Sequence, residues 1–144
     1  MQKSSLLIIA ALLLLTSVSR ASSPIGTWKT IDDATGEAMS LVHIMEQDNA
    51  LVGRVQQILD EQKRAALCDK CKGENKNRKI EGMTIIWNMR PNGSHFDHGK
   101  ILDPSSGKIY SATMKVLEEG EKLEVRGYLG ISLFGRSQVW ERVQ

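Results

Sequence analysis

No apolar run in this sequence is long enough to cross a membrane as a helix. The longest run spans residues 6–15, whereas a helix needs about 20 apolar residues to span a bilayer. Lys3 precedes the run, and Ser19 and Ala21 are small residues at the spacing of a signal-peptidase site. We therefore expect residues 1–21 to be a cleavable secretory signal and residues 22–144 to be the mature domain.

Cysteine is scarce, and the sequence contains two cysteines, Cys68 and Cys71. None lies near the expected cleavage point, so a bacterial lipid anchor on a new N-terminal cysteine is excluded. We expect a protein of the periplasm, or a secreted one, without a stable membrane anchor.

The mature domain has no excess of either charge. The chain carries 19 Lys and Arg against 17 Asp and Glu, a net charge of +2, and Lys3 and Arg20 leave with the signal. The domain that remains is formally neutral. It therefore offers no basic face to nucleic acid or to an anionic membrane.

Signatures of catalysis are missing as well. There is no Gly-x-Ser-x-Gly elbow for a nucleophilic serine, and the glycines of residues 127–135 precede no helix that could bind phosphate. We expect no catalytic residues, no cofactor and no metal site, and we rank an enzyme last among the functions considered.

Short strands separated by turns fill the mature chain, without repeats or linkers. Links are short except for the polar segment 60–79, which holds both cysteines. The pattern predicts an all-β fold, an eight-stranded up-and-down antiparallel barrel with one long cysteine-bearing loop, and a sandwich is the main rival. The predicted strands are residues 26–32, 39–46, 51–59, 83–89, 95–102, 109–117, 123–129 and 136–143, with a short helical turn at 61–67 and a turn at 90–93.

The links of an up-and-down barrel alternate between its two ends. Residues 33–36, the cysteine loop, residues 103–107 and residues 130–135 are then expected at one rim, and plain polar turns at the other. Because small barrels commonly bind a ligand in such a mouth, we expect a binding site at the first rim. Closure of the barrel also brings Trp28 beside Arg142, where a guanidinium can stack on the indole or remain solvated.

Gly26-Thr27-Trp28 near the start, with a basic residue near the end, resembles the lipocalin and fatty-acid-binding pattern. From residue 26 onward the chain resembles a narrower group, the bacterial DUF2147 family of exported lipocalin-like proteins. This resemblance implies a compact periplasmic barrel and supplies no catalytic residues. The stretches that carry it are Gly26-Thr27-Trp28-Lys29-Thr30-Ile31-Asp32, Cys68-Asp69-Lys70-Cys71, Gly99-Lys100-Ile101-Leu102-Asp103-Pro104, Gly107-Lys108-Ile109-Tyr110, Val125-Arg126-Gly127-Tyr128-Leu129-Gly130 and Gly135-Arg136-Ser137-Gln138-Val139-Trp140.

The Cys68-x-x-Cys71 spacing leaves three interpretations. In an oxidising compartment we favour a disulfide that clips the long loop. A redox centre requires a strand followed by a helix N-terminus, which is not evident here. A zinc site requires two more ligands, for which His95 and His98 are candidates, although positions i and i+3 of a strand face opposite sides.

The candidate ligand contacts lie at the expected rim. Arg126 and Tyr128 share one strand face, which either points inward to hold a polar head or outward to solvent. The apolar residues 131, 133 and 134 either contact a ligand or partner or plug the mouth. The predicted rim contacts are Asp103, Tyr110, Arg126, Tyr128, Ile131, Leu133, Phe134 and Arg136.

Two functional hypotheses follow. The first is non-catalytic binding of a small apolar or amphiphilic molecule at this rim, which requires a cavity of several hundred cubic ångströms. The second is a protein-interaction module that uses the loop 130–135 and has a filled barrel.

Overall fold

The eight strands form one closed antiparallel barrel in which each strand pairs with its sequence neighbours and β1 pairs with β8. The computed structural model describes residues 23–143, apart from the side chain of Ser132. The predicted signal, residues 1–21, lies outside the described residues. The strands are β1 (Gly26–Ile31), β2 (Ala38–Gln47), β3 (Ala50–Ile58), β4 (Thr84–Asn92), β5 (His95–Asp103), β6 (Lys108–Leu117), β7 (Lys122–Tyr128) and β8 (Gly135–Arg142).

The predicted barrel is therefore confirmed, and its strand bounds agree to within a residue or two except at one turn. The sequence predicted a turn at residues 90–93, but β4 continues to Asn92 because Arg90, Pro91 and Asn92 pair with β5. The turn shortens to Gly93 and Ser94, and Gly93 supplies the positive φ of 61° that it needs.

The long β3–β4 link has more structure than expected. The 3-10 helices Glu61–Lys63 and Gly73–Asn75 lie in it, and an isolated bridge joins Leu67 to Lys79. The helical turn predicted for residues 61–67 is thus shorter than expected. Its start is fixed by Asp60, whose carboxylate accepts the N–H of Gln62 at 3.0 Å. Further 3-10 helices, Glu118–Gly120 and Ser132–Phe134, lie in the links that follow β6 and β7.

Alternating residues of most strands point inward and form the core of the barrel. On β8, Trp140 is buried while Val139 and Glu141 on either side of it are exposed, as a period of two requires. The largest fully buried side chains are Trp28, Ile44, Ile86, Met89, Leu102, Met114, Leu123, Val42 and Cys68.

Arg142 joins the two ends of the chain at the filled end of the barrel. Its guanidinium lies 4.2 Å from the centroid of the Trp28 ring. Its Nη1 donates to the carbonyl of Ile25 at 3.1 Å, its Nη2 to that of Ser23 at 2.6 Å, and its Nε to that of Gly120. One side chain therefore fastens the segment before β1, the β6–β7 link and the last strand.

Gly26 makes room for this guanidinium. A Cβ at Gly26 would lie 2.7 Å from Arg142 Nη1, and the φ of Gly26 is +134°, a value that other residues rarely adopt. Beneath it, Trp28 Nε1 donates to the carbonyl of Pro24 at 2.8 Å. The Gly-Thr-Trp sequence thus provides an open space for the cation and the indole on which the cation stacks.

We expect Arg142→Ala to lower the free energy of unfolding by about 2–3 kcal/mol, because three carbonyls lose a charged donor and the indole loses its cation. Chemical denaturation would measure this loss. Arg54→Ala removes an exposed arginine from β3 and should change stability by less than about 0.5 kcal/mol. Equal losses in the two variants would contradict a closing role for Arg142.

Candidate functional site

The barrel is hollow at the end opposite Arg142. A cavity of about 650 Å³ is lined there by residues of the β1–β2 link, the long β3–β4 link and the β5–β6 link. These are three of the four links that the topology was expected to gather at one rim. The fourth, between β7 and β8, contributes no residue to the lining, although Arg136 directly after it does.

The inner wall of the cavity is mainly apolar. Trp140, Val125, Val55 and Leu102 are each at most 4 % exposed, and they separate the cavity from the filled half of the barrel. Gly127 lies between them and the rim, and its missing side chain enlarges the space. The remaining apolar lining consists of Ala38, Met39, Ile58, Ala66, Ile80, Ile85, Ile101 and Pro104.

Two polar contacts interrupt this wall. The hydroxyls of Thr30 and Ser40 lie 2.8 Å apart on neighbouring strands, and Thr30 is 5 % exposed. On β8, Trp140 Nε1 donates to Gln138 Oε1 at 3.1 Å. Both pairs satisfy their polar groups internally, so the wall does not present an unpaired buried donor or acceptor to a ligand.

An ion pair lies across the rim. Arg136 donates through Nε (2.8 Å) and Nη2 to Oδ2 of Asp33, and Gln138 Nε2 lies 3.3 Å from the same oxygen. Asp33 belongs to the β1–β2 link and Arg136 to β8, which closes against β1. The pair therefore joins the β1–β2 link to the start of β8 at the mouth of the cavity.

Two further carboxylates cap the rim turns. Asp32 Oδ1 accepts the N–H groups of Ala34 and Thr35 at 2.8 and 2.9 Å, and the Thr35 bond is the main cause of the lowered pKa of Asp32. Burial alone would raise the pKa of Asp103, but hydrogen bonds from Ser105 and Ser106 outweigh it and lower the pKa. Both carboxylates are therefore ionised at neutral pH.

The two cysteines form a disulfide beside this rim. Cys68 and Cys71 are joined and nearly inaccessible, at 0 % and 2 % exposure. Cys68 Sγ lies 3.5 Å from the carbonyl of Pro104, and a Cβ on Gly107 would lie 2.1 Å from the carbonyl oxygen of Lys70. The disulfide segment is thus packed directly on the β5–β6 link, which matches the structural-clip interpretation.

Not all of the predicted rim residues line the cavity. Asp103, Tyr110 and Arg136 do. Arg126 and Tyr128 do not, because Val125 and Gly127 take the inward positions of β7, and the inward alternative for this pair is wrong. Arg126 instead donates to Ser137 Oγ at 3.2 Å on the outer face.

The apolar residues of the β7–β8 link also lie outside the cavity. Ile131, Leu133 and Phe134 are 59, 76 and 75 % exposed. They therefore do not plug the mouth, and a role for them as ligand or partner contacts stays a prediction.

Several lining residues escaped the sequence analysis. Thr30 and Ser40 are small polar residues in apolar strands, and only the alternation from Trp28 and Val42 could have placed them inside. Gln138 was on the same face as Arg136 in the β8 pattern but was not selected. The lining residues Asp32, Glu37, Asp60 and Lys63 lie in links, where periodicity gives no direction.

The histidines considered for zinc lie at the other end of the barrel. His95 Nε2 is 3.5 Å from Asp97 Oδ2, and His98 Nδ1 contacts Asp97 Oδ1. The expectation that the two histidines face opposite sides is corrected, because His98 has a φ of +58° where the β5–β6 register shifts. Neither histidine is near the cysteines, whose sulfurs are joined to each other.

A smaller cavity of about 370 Å³ lies at this same end. It is lined by Pro24 and Ile25 before β1 and by residues of β2 to β5, including Leu51, Met89 and Phe96. Among residues 23–143 there is no helix of the length and apolarity that a membrane crossing requires.

A closed eight-stranded antiparallel barrel, with its larger cavity at one end and a Trp–Arg stack at the other, is a lipocalin-like fold. The solved structure described as protein HP1028 from the human pathogen Helicobacter pylori, which belongs to the lipocalin family, has the same fold with a TM-score of 0.74. The two sequences are 18 % identical, and the match covers 85 % of this chain and 84 % of that one.

The chain belongs to the DUF2147 family, described as "Uncharacterized protein conserved in bacteria", whose family model matches residues 26–142. The family resemblance noted from the sequence is thereby confirmed. No curated protein matched the chain.

We expect Gly107→Ala to be more destabilising than Gly36→Ala. The two glycines have φ values of +70° and +73°, so both variants carry the backbone cost of about 1 kcal/mol, but only Gly107 is packed against Lys70. Thermal denaturation of the two variants would separate the packing cost from the backbone cost. Equal losses would contradict a tight contact between the two links.

Asp103→Asn tests the carboxylate at the rim. Because the folded pKa of Asp103 is lowered, its ionisation stabilises the fold above the unfolded pKa, and this contribution is lost as pH falls through the folded pKa. The wild type should therefore exceed the variant in stability at neutral pH, and the gap should narrow below about pH 4. Urea denaturation across pH would show this, with Asp48→Asn as the control. If the difference in free energy of unfolding between the wild type and Asp103→Asn does not change with pH, the Asp103 carboxylate does not stabilise the fold through its ionisation.

Proposed function

We propose that this protein is an exported, periplasmic lipocalin-like barrel that binds a small apolar or amphiphilic molecule and does not convert it chemically. The observation that carries the proposal is the cavity of about 650 Å³ at the rim. This volume lies within the range of roughly 300–1,000 Å³ that is typical of small-molecule sites.

The chemistry of the wall favours an apolar guest. Trp140, Val125, Leu102 and Ile101 present carbon surface to the cavity, and each square ångström of apolar surface buried there stabilises a complex by about 25 cal/mol. The charged groups of the lining lie in the links, at the end of β5 and at the start of β8. A guest with an apolar body and a polar end would match this arrangement.

The ionisation of the rim supports binding without catalysis. Hydrogen bonds lower the pKa values of Asp32, Asp60 and Asp103, the last against a raising effect of burial. A carboxyl group that acts as a general acid or base near neutral pH needs a raised pKa. These groups are instead used to hold turns in place.

An extracytoplasmic location is supported by two features of the chain. The apolar run at residues 6–15 is followed by small residues at a cleavage spacing, and Cys68 and Cys71 form a disulfide. Disulfides persist in oxidising compartments such as the periplasm.

The competing hypothesis, a protein-interaction module, draws support from Leu133 and Phe134, which are about three-quarters exposed. That hypothesis also requires a filled barrel. Because the cavity reaches down to Trp140 between the strands, ligand binding accounts for more of the structure.

Native mass spectrometry of the protein purified from its own periplasm, followed by lipid extraction, tests the proposal. We expect a chain that begins at Ser22 and carries a retained small molecule, and we expect the emptied protein to enhance the fluorescence of Nile red, a neutral apolar dye. If no small molecule is retained and Nile red fluorescence is not enhanced, the binding function is contradicted.

A matched pair of variants localises this binding. Gly127→Ile fills the cavity, since a Cβ at Gly127 has ordinary contacts of 3.4 Å and longer, and it should weaken Nile red binding at least several-fold. Thr113→Ile places the same side chain between the inward residues Ala112 and Met114, on the outer face of β6, and should leave binding unchanged. Equal changes in Nile red binding by the two variants would show that the dye binds outside the 650 Å³ cavity.

A further inference from the structure

The mouth of the cavity carries more negative than positive charge. Four acidic residues contribute to its lining, and the basic residues of the lining are Lys63 and Arg136. The acidic residues are Asp32, Glu37, Asp60 and Asp103.

Both cations are already engaged by carboxylates. Lys63 Nζ lies 3.2 Å from Asp60 Oδ2, and Arg136 donates through two nitrogens to Asp33. The charges of Asp103 and Asp32 also act on Arg136, more weakly than that of Asp33. Among these four residues the carboxylates outnumber the guanidinium.

Glu37 adds to this excess. It is exposed on the link before β2, and no cation in the described residues forms an ion pair with it. Asp32 and Asp103 keep their charge at neutral pH because turn hydrogen bonds stabilise the carboxylates. A ligand end at the mouth thus meets a fixed negative potential beside low-dielectric walls, which strengthen its effect.

The deeper part of the cavity offers no basic group to offset this potential. Its wall is apolar apart from the hydroxyls of Thr30 and Ser40, Tyr110 and the amide of Gln138. Arg142 is not part of the lining, and its guanidinium is held by Trp28 and three carbonyls at the opposite end. An anionic head would therefore be repelled at the mouth and left without a partner inside.

We propose that the cavity selects amphiphiles with a cationic, ammonium-type head over amphiphiles with a carboxylate or phosphate head. This inference rests on the binding function proposed above. The apolar tail occupies the space above Trp140, and the ammonium group lies at the rim among Asp32, Glu37 and Asp103. An ammonium head can also donate hydrogen bonds to these carboxylates.

Three ligands with the same tail test the selection: decylammonium, decanol and decanoate, each below its aggregation concentration, in competition with Nile red. We expect decylammonium to displace the dye at a concentration on the order of tenfold lower than decanoate, with decanol between them. Added salt should reduce the difference, since the rim is open to solvent.

Variants at the rim test which residues cause the preference for decylammonium over decanoate. Glu37→Gln and Asp103→Asn each remove one negative charge with little change of shape, and each should reduce the preference for decylammonium over decanoate. Asp48→Asn removes the same charge from the β2–β3 turn at the opposite end and should leave the preference unchanged. Decanol binding should be equal in the wild type and Asp48→Asn, and far-UV circular dichroism of all four proteins controls for the fold.

The outcomes separate this inference from the function on which it rests. If the three ligands displace Nile red equally, the binding function stands and the charge selection is wrong. If decanoate binds more tightly than decylammonium, Arg136 acts as an anion contact and the selection is reversed. If neither Nile red nor any of the three ligands binds, the binding function fails and the selection fails with it.

Discussion

The stacking of Arg142 on Trp28 is the contact on which the barrel depends. An up-and-down sheet becomes a closed barrel only when its last strand pairs with its first. Here β1 and β8 are joined by two residue pairs, one of which is Trp28 with Arg142. The guanidinium extends this short seam by binding carbonyls of Ser23, Ile25 and Gly120. A planar group with five donors suits this task, which a lysine could not perform with the same geometry.

Closure at one end leaves a cavity at the other end. Large side chains such as Met89, Met114 and Leu123 fill the half of the barrel near Arg142, whereas the half near the rim keeps a cavity whose mainly apolar wall includes the small residues Gly127, Ser40 and Thr30. The filled half contributes the apolar burial that stabilises a domain of this size. The hollow half buries less apolar surface, as in other small barrels that enclose a cavity.

The fold was predictable from the sequence because it depends on short-range signals. Turn residues such as Gly93 and Gly107 mark the links, and the alternation that ends in Trp140 marks the inner face of β8. The site was predictable only in part. Asp103, Tyr110 and Arg136 follow from the topology, but the side chains of Asp32, Glu37 and Lys63 lie in links without periodicity. For Arg126 and Tyr128, the apolar residues Leu123 and Val125 on the opposite face of β7 already favoured the outward direction, but both residues were kept as rim contacts because of their position beside the β7–β8 link.

The contact between Gly107 and the carbonyl of Lys70 links the two walls of the mouth mechanically. Because there is no space for even a methyl group between them, we expect the disulfide segment and the β5–β6 link to move together. Widening of the mouth on this side is then a single concerted step, not the sum of two independent loop fluctuations. For the molecule proposed to bind here, entry and exit on this side would require the joined body to move away from Arg136 and Asp33.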